Sequence, residues 1–282
     1  MKKRIGVKSQ ATVFIIIAIV IIGAVAGSVY IINENKKAEA SRDFFSRSDV
    51  KPSLEIIESR ILDCSKEIPR NSLDKIGIQG GYFKKPANKP EYYFDLGWAF
   101  IPYYYYQGLF LMPNKQTIEN QLSLYVNENL GDCLKKINYE NFELSFRTPR
   151  TISSIKEKEV SFLIALPVKI KKDSHSIILE LKEHPITINS ELNAILNIAN
   201  FITETHKQDP AMYCVSCVGQ LADEDNLYVD IIKFRENEML VVISENHTYS
   251  EPYSFEFLNK YKGDEVSPLN LTIEIAPEPQ QS

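Results

Sequence analysis

Two spacings of apolar residues divide this chain. Leu54, Ile57, Ile61, Cys64 and Ile68 recur at steps of three and four, the pattern of one helix face. Pro52 and Ser53 open that helix, with Ser53 placed to cap it, and Pro69 is expected to end it. Ile118, Leu122, Tyr125, Leu130, Cys133 and Ile137 mark a second helix near 115–137. Leu192, Ile195, Leu196, Ala199 and Ile202 mark a third, from Ser190 to His206. Elsewhere the period is two, as in strands. Tyr92, Phe94, Leu96, Trp98 and Phe100 alternate, as do residues 142–146 (FELSF). Residues 160–171 and 176–181 read as a strand pair around the charged turn Lys171, Lys172, Asp173. Residues 227–234, 239–243 and 253–258 are further strands. Gly80 and Gly81 form a turn or a close backbone approach. They are not a phosphate loop, because the Lys-Ser/Thr pair that completes one is missing.

One stretch has neither period. Ala11 to Ile32 carries no charge over 22 residues, enough for about 33 Å of helix. It predicts a single transmembrane helix. A cleaved secretory signal has a shorter apolar region, about 7–15 residues, although the AVA at 24–26 resembles a small-residue cleavage site. Lys2, Lys3, Arg4 and Lys8 crowd the short N-terminal side, which places that side in the cytoplasm and residues 33–282 outside. The expected division is a basic cytoplasmic leader at 1–10, a transmembrane helix at 11–32 and a polar stalk at 33–50. An extracellular domain follows at 51–267, with sub-lobes 51–148 and 149–267, and then a flexible tail at 268–282 rich in Pro, Gln and Glu.

Composition refines this picture. Tyr and Phe are frequent, 15 and 14, and aromatic residues favour strands. The expected fold is therefore an α+β ectodomain of mixed helices and antiparallel strands on the single N-terminal transmembrane helix. The four basic residues before the span leave 28 basic against 37 acidic side chains over the rest of the chain. An acidic body argues against nucleic acid as a partner, since phosphate binding rests on clustered Lys and Arg. The expected partners are a lipid bilayer and a protein or glycan at the cell surface. Asn246 and Asn270 begin glycosylation triplets, which fit an outside location.

Cys64, Cys133, Cys214 and Cys217 are even in number, as a disulfide framework requires. Cys64 and Cys133 lie on the apolar faces of the first two helices. If those faces pack together the two sulfurs meet; otherwise they are two buried thiols. Cys214 and Cys217 form a CxxC, open to three readings: a local disulfide first, a structural metal site second, and a redox pair last. The last ranks low because no strand–helix–strand pattern flanks it.

The most unusual stretch is 92–110, YYFDLGWAFIPYYYYQGLF. Trp98, Tyr103, Tyr104 and Tyr105 are candidates for an aromatic binding surface. The competing and favoured interpretation is a sheet core with wet tyrosine hydroxyls at its edge. Known catalytic motifs are missing: no HExxH, no GxSxG, no dinucleotide-binding glycines and no kinase set. His175, His184, His206 and His247 are scattered. No cofactor or metal is implied, and no enzymatic activity is expected.

The start at Ser9, SQATVFIII, resembles the N-termini of a group of uncharacterised surface proteins from small-genome archaea. The resemblance extends to IQGGY at 78–82, IPYYY at 101–105, LSLY at 122–125 before DCL at 132–134, and EPYSFEF at 251–257. It implies a membrane-anchored extracellular protein with no assigned activity. The same N-terminus resembles an archaeal type IV pilin precursor, whose short basic leader is cut before a hydrophobic helix; here the cut would fall at Ser9/Gln10. The sequence thus leads to a non-enzymatic role in binding, adhesion or envelope structure. A pilin-like filament subunit is the first alternative, and an envelope hydrolase or CxxC redox enzyme the second.

Overall fold

A computed structural model describes residues 8–86, 89–208, 214–245 and 253–262, without the side chains of 8–16, 18 and 206–208. The fold is α+β. Its described residues fall into two compact units, and neither is one continuous stretch.

The first unit holds the chain up to Arg60, together with Asn138–Ser145 and Val168–Leu179. Its long helix, α1, runs Lys8–Phe45, past the end of the apolar run and through the polar residues that follow. The transmembrane expectation is corrected here: among the described residues no helix is long and apolar enough to cross a membrane. Single-pass membrane localisation, with its cytoplasmic N-terminus and extracellular domain, falls with it. At the foot of α1, Phe44 stacks on His175 at 4.1 Å between centroids. Strands β4 (Glu143–Phe146), β7 (Pro167–Lys172) and β8 (His175–Glu180) form a sheet in the order β4-β7-β8. Asp173, at φ 53°, turns β7 into β8.

Helix α2 (Lys51–Ile78) begins in the first unit and runs on into the second. Pro69 lies inside this helix instead of ending it. Proline costs an interior hydrogen bond, but Ile61, Ile68, Leu73 and Ile76 are buried on either side of it, and that packing holds the helix on. Ser72 donates to the Pro69 carbonyl at 2.6 Å. The helix stops at its glycines. Gly81 N donates to Ile76 O and Gly80 N to Gly77 O, with Gly80 left-handed at φ 50°. This is a Schellman cap, which needs a residue free of Cβ strain at that position.

The second unit contains a six-stranded sheet. Strands β1 (Tyr93–Asp95), β2 (Phe100–Tyr106), β12 (Ser254–Lys260), β11 (Glu238–Glu245) and β10 (Leu227–Arg235) lie in that order, and β3 (Leu109–Phe110) pairs with β2. All its pairings are antiparallel except β12 with β2, which is parallel. The sheet curls strongly: Phe94 on edge strand β1 meets Phe234 on edge strand β10 at 5.0 Å. A second sheet orders β5 (Arg150–Ile155), β6 (Glu159–Ala165) and β9 (Ile186–Asn189). Helix α3 (Lys115–Lys135) buries Ile118, Leu122, Val126, Leu130 and Leu134. Its Glu119 and Ser123 accept the β5 amides of Ile155 and Ser153. Helix α4 (Leu192–Gln208) starts against Glu245, whose Oε1 accepts from Glu191 N at 2.7 Å. Helix α5 (Val215–Glu224) follows and packs on α4 and β10.

Candidate functional site

The aromatic stretch separates into two environments. Its sequence alternation suggested one strand, but β1 ends at Asp95 and the chain reverses before Phe100. Leu96 N donates to Ala99 O at 2.9 Å, which leaves Gly97 and Trp98 as a two-residue hairpin loop. Gly97 has φ 84°. A type II′ hairpin turn needs positive φ at its first central residue, and glycine supplies it at least cost. Trp98, the only tryptophan in the chain, is thereby pushed outward and is 70% exposed.

Three residues that the sequence did not single out hold this tip. Asp95 Oδ1 accepts from Gly97 N at 2.9 Å, and Oδ2 pairs with Lys85. Lys85, then the Gly97 amide, hold the Asp95 carboxyl below the usual carboxylate range. Lys75 donates to the Trp98 carbonyl at 3.2 Å and sits 6.0 Å from the indole centroid. The aspartate two residues before a glycine was the available sequence signal.

Tyr103, Tyr104 and Tyr105 belong to the other environment. They are 6, 0 and 2% exposed, so they are core and not binding surface. Tyr104 stacks on Phe257 at 4.3 Å and donates its hydroxyl to Gly80 O at 2.9 Å. Tyr103 packs in a cluster with Ile101 and Leu258. Burial, and next the Glu238 carboxylate, push its hydroxyl well above the ordinary tyrosine value. Glu238 itself is buried and pairs with Lys260 at 2.8 Å, and Lys260 lies over the rings of Tyr103 and Tyr106. Tyrosine hydroxyls need partners once buried, and the Glu238–Lys260 pair occupies this end of the sheet as internal wiring. Pro102 does not interrupt β2. It pairs with Tyr93, and the β12 pairing starts only at Tyr103, so Pro102 sits where an amide donor is dispensable.

Both disulfides form. Cys64–Cys133 ties α2 to α3 with Cα atoms 5.9 Å apart across 69 residues of sequence. Closing so long a loop stabilises by about 4 kcal/mol in the chain-entropy model. Cys214–Cys217 is local and lies at the start of α5. Among the described residues no group of three or more His, Cys, Asp and Glu is placed to hold a metal ion. Asn246 and Asn270 lie outside the described residues, as do residues 268–282 of the expected tail.

A groove of about 610 Å³ runs between α2 and β9, lined by Asp63, Lys66, Glu67 and Arg70 on the helix, by Pro185 just before the strand and by 186–188 on it. β9 is an edge strand, and the helix offers acids and bases in equal number. Neither histidine nor cysteine lines it. No family model matches the chain, and no curated protein or solved structure matches it.

Proposed function

We propose that the chain is a non-enzymatic binding protein that docks a protein partner through the hairpin carrying Trp98. The observation that carries this reading is the presentation of a single tryptophan, 70% exposed, at the tip of a two-residue loop braced by Lys75, Lys85 and Asp95. A lone exposed aromatic needs no explanation by itself. Here, however, three polar side chains fix the backbone beneath the ring, so its placement costs little entropy on binding. Tryptophan is also the residue most enriched among interface anchors. Leu96, 37% exposed, widens the apolar tip.

The test compares wild type with Trp98→Ala for the proteins that co-purify from the native source. Thermal melts run alongside it. An unchanged melt with loss of the co-purifying proteins supports the reading, as does a blue shift of Trp98 emission when those proteins are added back. Equal recovery by both proteins sinks it.

A second reading rests on α1. Ile19, Val20, Ile21 and Ile22 are 56–67% exposed, and four consecutive helical residues point around the whole circumference. A helix apolar all round needs a cover, and copies of the same helix, packed as in a filament core, would supply one. Native protein beginning at Gln10 and assembling with concentration supports this. A full-length chain that stays monomeric at every concentration removes it.

A further inference from the structure

Cys214–Cys217 differs in kind from the disulfide that joins α2 to α3. It spans two intervening residues, Val215 and Ser216, both exposed, and Cys214 and Cys217 are themselves half-buried. Cys214 is the N-cap of α5, and its Sγ accepts the Cys217 backbone N–H at 3.3 Å. No acidic residue occupies the first turn. A thiolate at this position would be held by the first-turn amides and by the positive end of the helix. That stabilises the reduced pair relative to the disulfide and makes Cys214 a good leaving group. Beneath it Val218 and Ala222 are buried, so the helix start is anchored while neither cysteine is fully buried.

We propose that Cys214–Cys217 is an exchangeable disulfide that takes two electrons from a protein dithiol. Cys214, the cap, stands outside the helix proper, whereas Cys217 lies in its first turn. One thiolate of the dithiol attacks Cys214 Sγ, the Cys214–Cys217 bond breaks, and its electron pair leaves on Cys217 Sγ, which takes a proton. The second thiolate then attacks the partner sulfur of the mixed disulfide and expels Cys214 as a thiolate. The partner ends oxidised to its own disulfide; of the two thiol protons it gave up, one is on Cys217 and the other passes to solvent, with Cys214 left as the thiolate. This exchange is independent of docking through Trp98, and the two fail separately; only the non-enzymatic part of that reading would yield to it.

The test uses the full chain in graded reduced and oxidised glutathione, with trapped thiols located by peptide mass. The Cys214–Cys217 pair is expected to reduce at least about tenfold more readily than Cys64–Cys133, with the far-UV spectrum unchanged. Ser216 Oγ lies 3.7 Å from Cys214 Sγ. Ser216→Asp therefore sets an anion beside the sulfur and is expected to make the pair roughly two- to fivefold harder to reduce. Cys217→Ser, with Cys214 first converted to its glutathione mixed disulfide by oxidised glutathione, is expected to pass that bond to a single-cysteine peptide, giving a Cys214–peptide disulfide and releasing reduced glutathione. Reduction of both pairs together, only as the protein unfolds, overturns the proposal. So does a Ser216→Asp titration that overlays wild type.

Discussion

Trp98 and Tyr104 stand a few positions apart on one hairpin and meet opposite surroundings: the indole is 70% exposed and the phenol 0%. Residue type does not separate them, since both are large aromatics with a polar tip. Their backbone settings do. Trp98 occupies a turn that Gly97 makes possible, where its ring is left largely to solvent. Tyr104 occupies a strand whose neighbour, β12, is supplied from the far end of the chain and brings Phe257 against it. An aromatic run is therefore neither a surface nor a core until its strand partners are fixed.

The contrast can be broken most severely at Tyr104. Tyr104→Ala removes a fully buried ring and is expected to cost about 3–5 kcal/mol in urea unfolding. Gly80→Ala attacks the same place from below. Its Cβ would lie 2.6 Å from Pro102 Cγ and 2.7 Å from Glu256 O at a φ of +50°. The left-handed backbone alone costs about 1–2 kcal/mol, and the clash adds to it, so a clear fall in melting temperature is expected. Tyr104→Phe keeps the stack and deletes only the hydroxyl bond to Gly80 O, for a loss of about 1 kcal/mol in the same unfolding measurement. Trp98→Ala, at the exposed end of the comparison, should change stability by less than about 0.5 kcal/mol.

The smallest effect sharpens the comparison through pH. Asp95 is ionised more readily in the fold than in the unfolded chain, so its bonds to Lys85 and Gly97 are complete above the ordinary aspartate value of about 3.9. They are lost as pH falls below it through the folded value. Trp98 emission should be flat from neutral pH down to about 4 and change below that. Asp95→Asn should abolish the acid step.

Local periodicity made the helices and most strands legible. The steps of three and four through Cys64 and Cys133 placed both sulfurs on packing faces, and the disulfide between them follows from that geometry. The strands at 227–235, 238–245 and 254–260 stand where alternation placed them. Three features escaped because they depend on what lies opposite in space. Pro69 reads as a stop, yet burial of Ile68, Leu73 and Ile76 carries the helix past it. The aromatic alternation runs straight through Gly97, so the turn that exposes Trp98 was hidden by a pattern continuing on both sides of it. The apolar run at 11–32 suggested a span, whereas among the described residues no helix is long and apolar enough to cross a membrane. Of the candidate site, Trp98 was visible and its supports were not. Lys75 and Lys85 are ordinary lysines until the hairpin folds beside them.

The parallel pairing of β2 with β12 also orders events in time. Tyr105 N donates to Asn259 Oδ1 across 154 residues of sequence. A ribosome releases β2 long before it has made β12. During that interval β1 and β2 form a short hairpin whose aromatic side chains lack their final cover. Nascent chains ending before Ser254 should therefore hold chaperones at Tyr103–Tyr105. Chains extended through Lys260, with enough further residues to clear the exit tunnel, should let them go. The last of the described strands to be made closes the centre of the sheet.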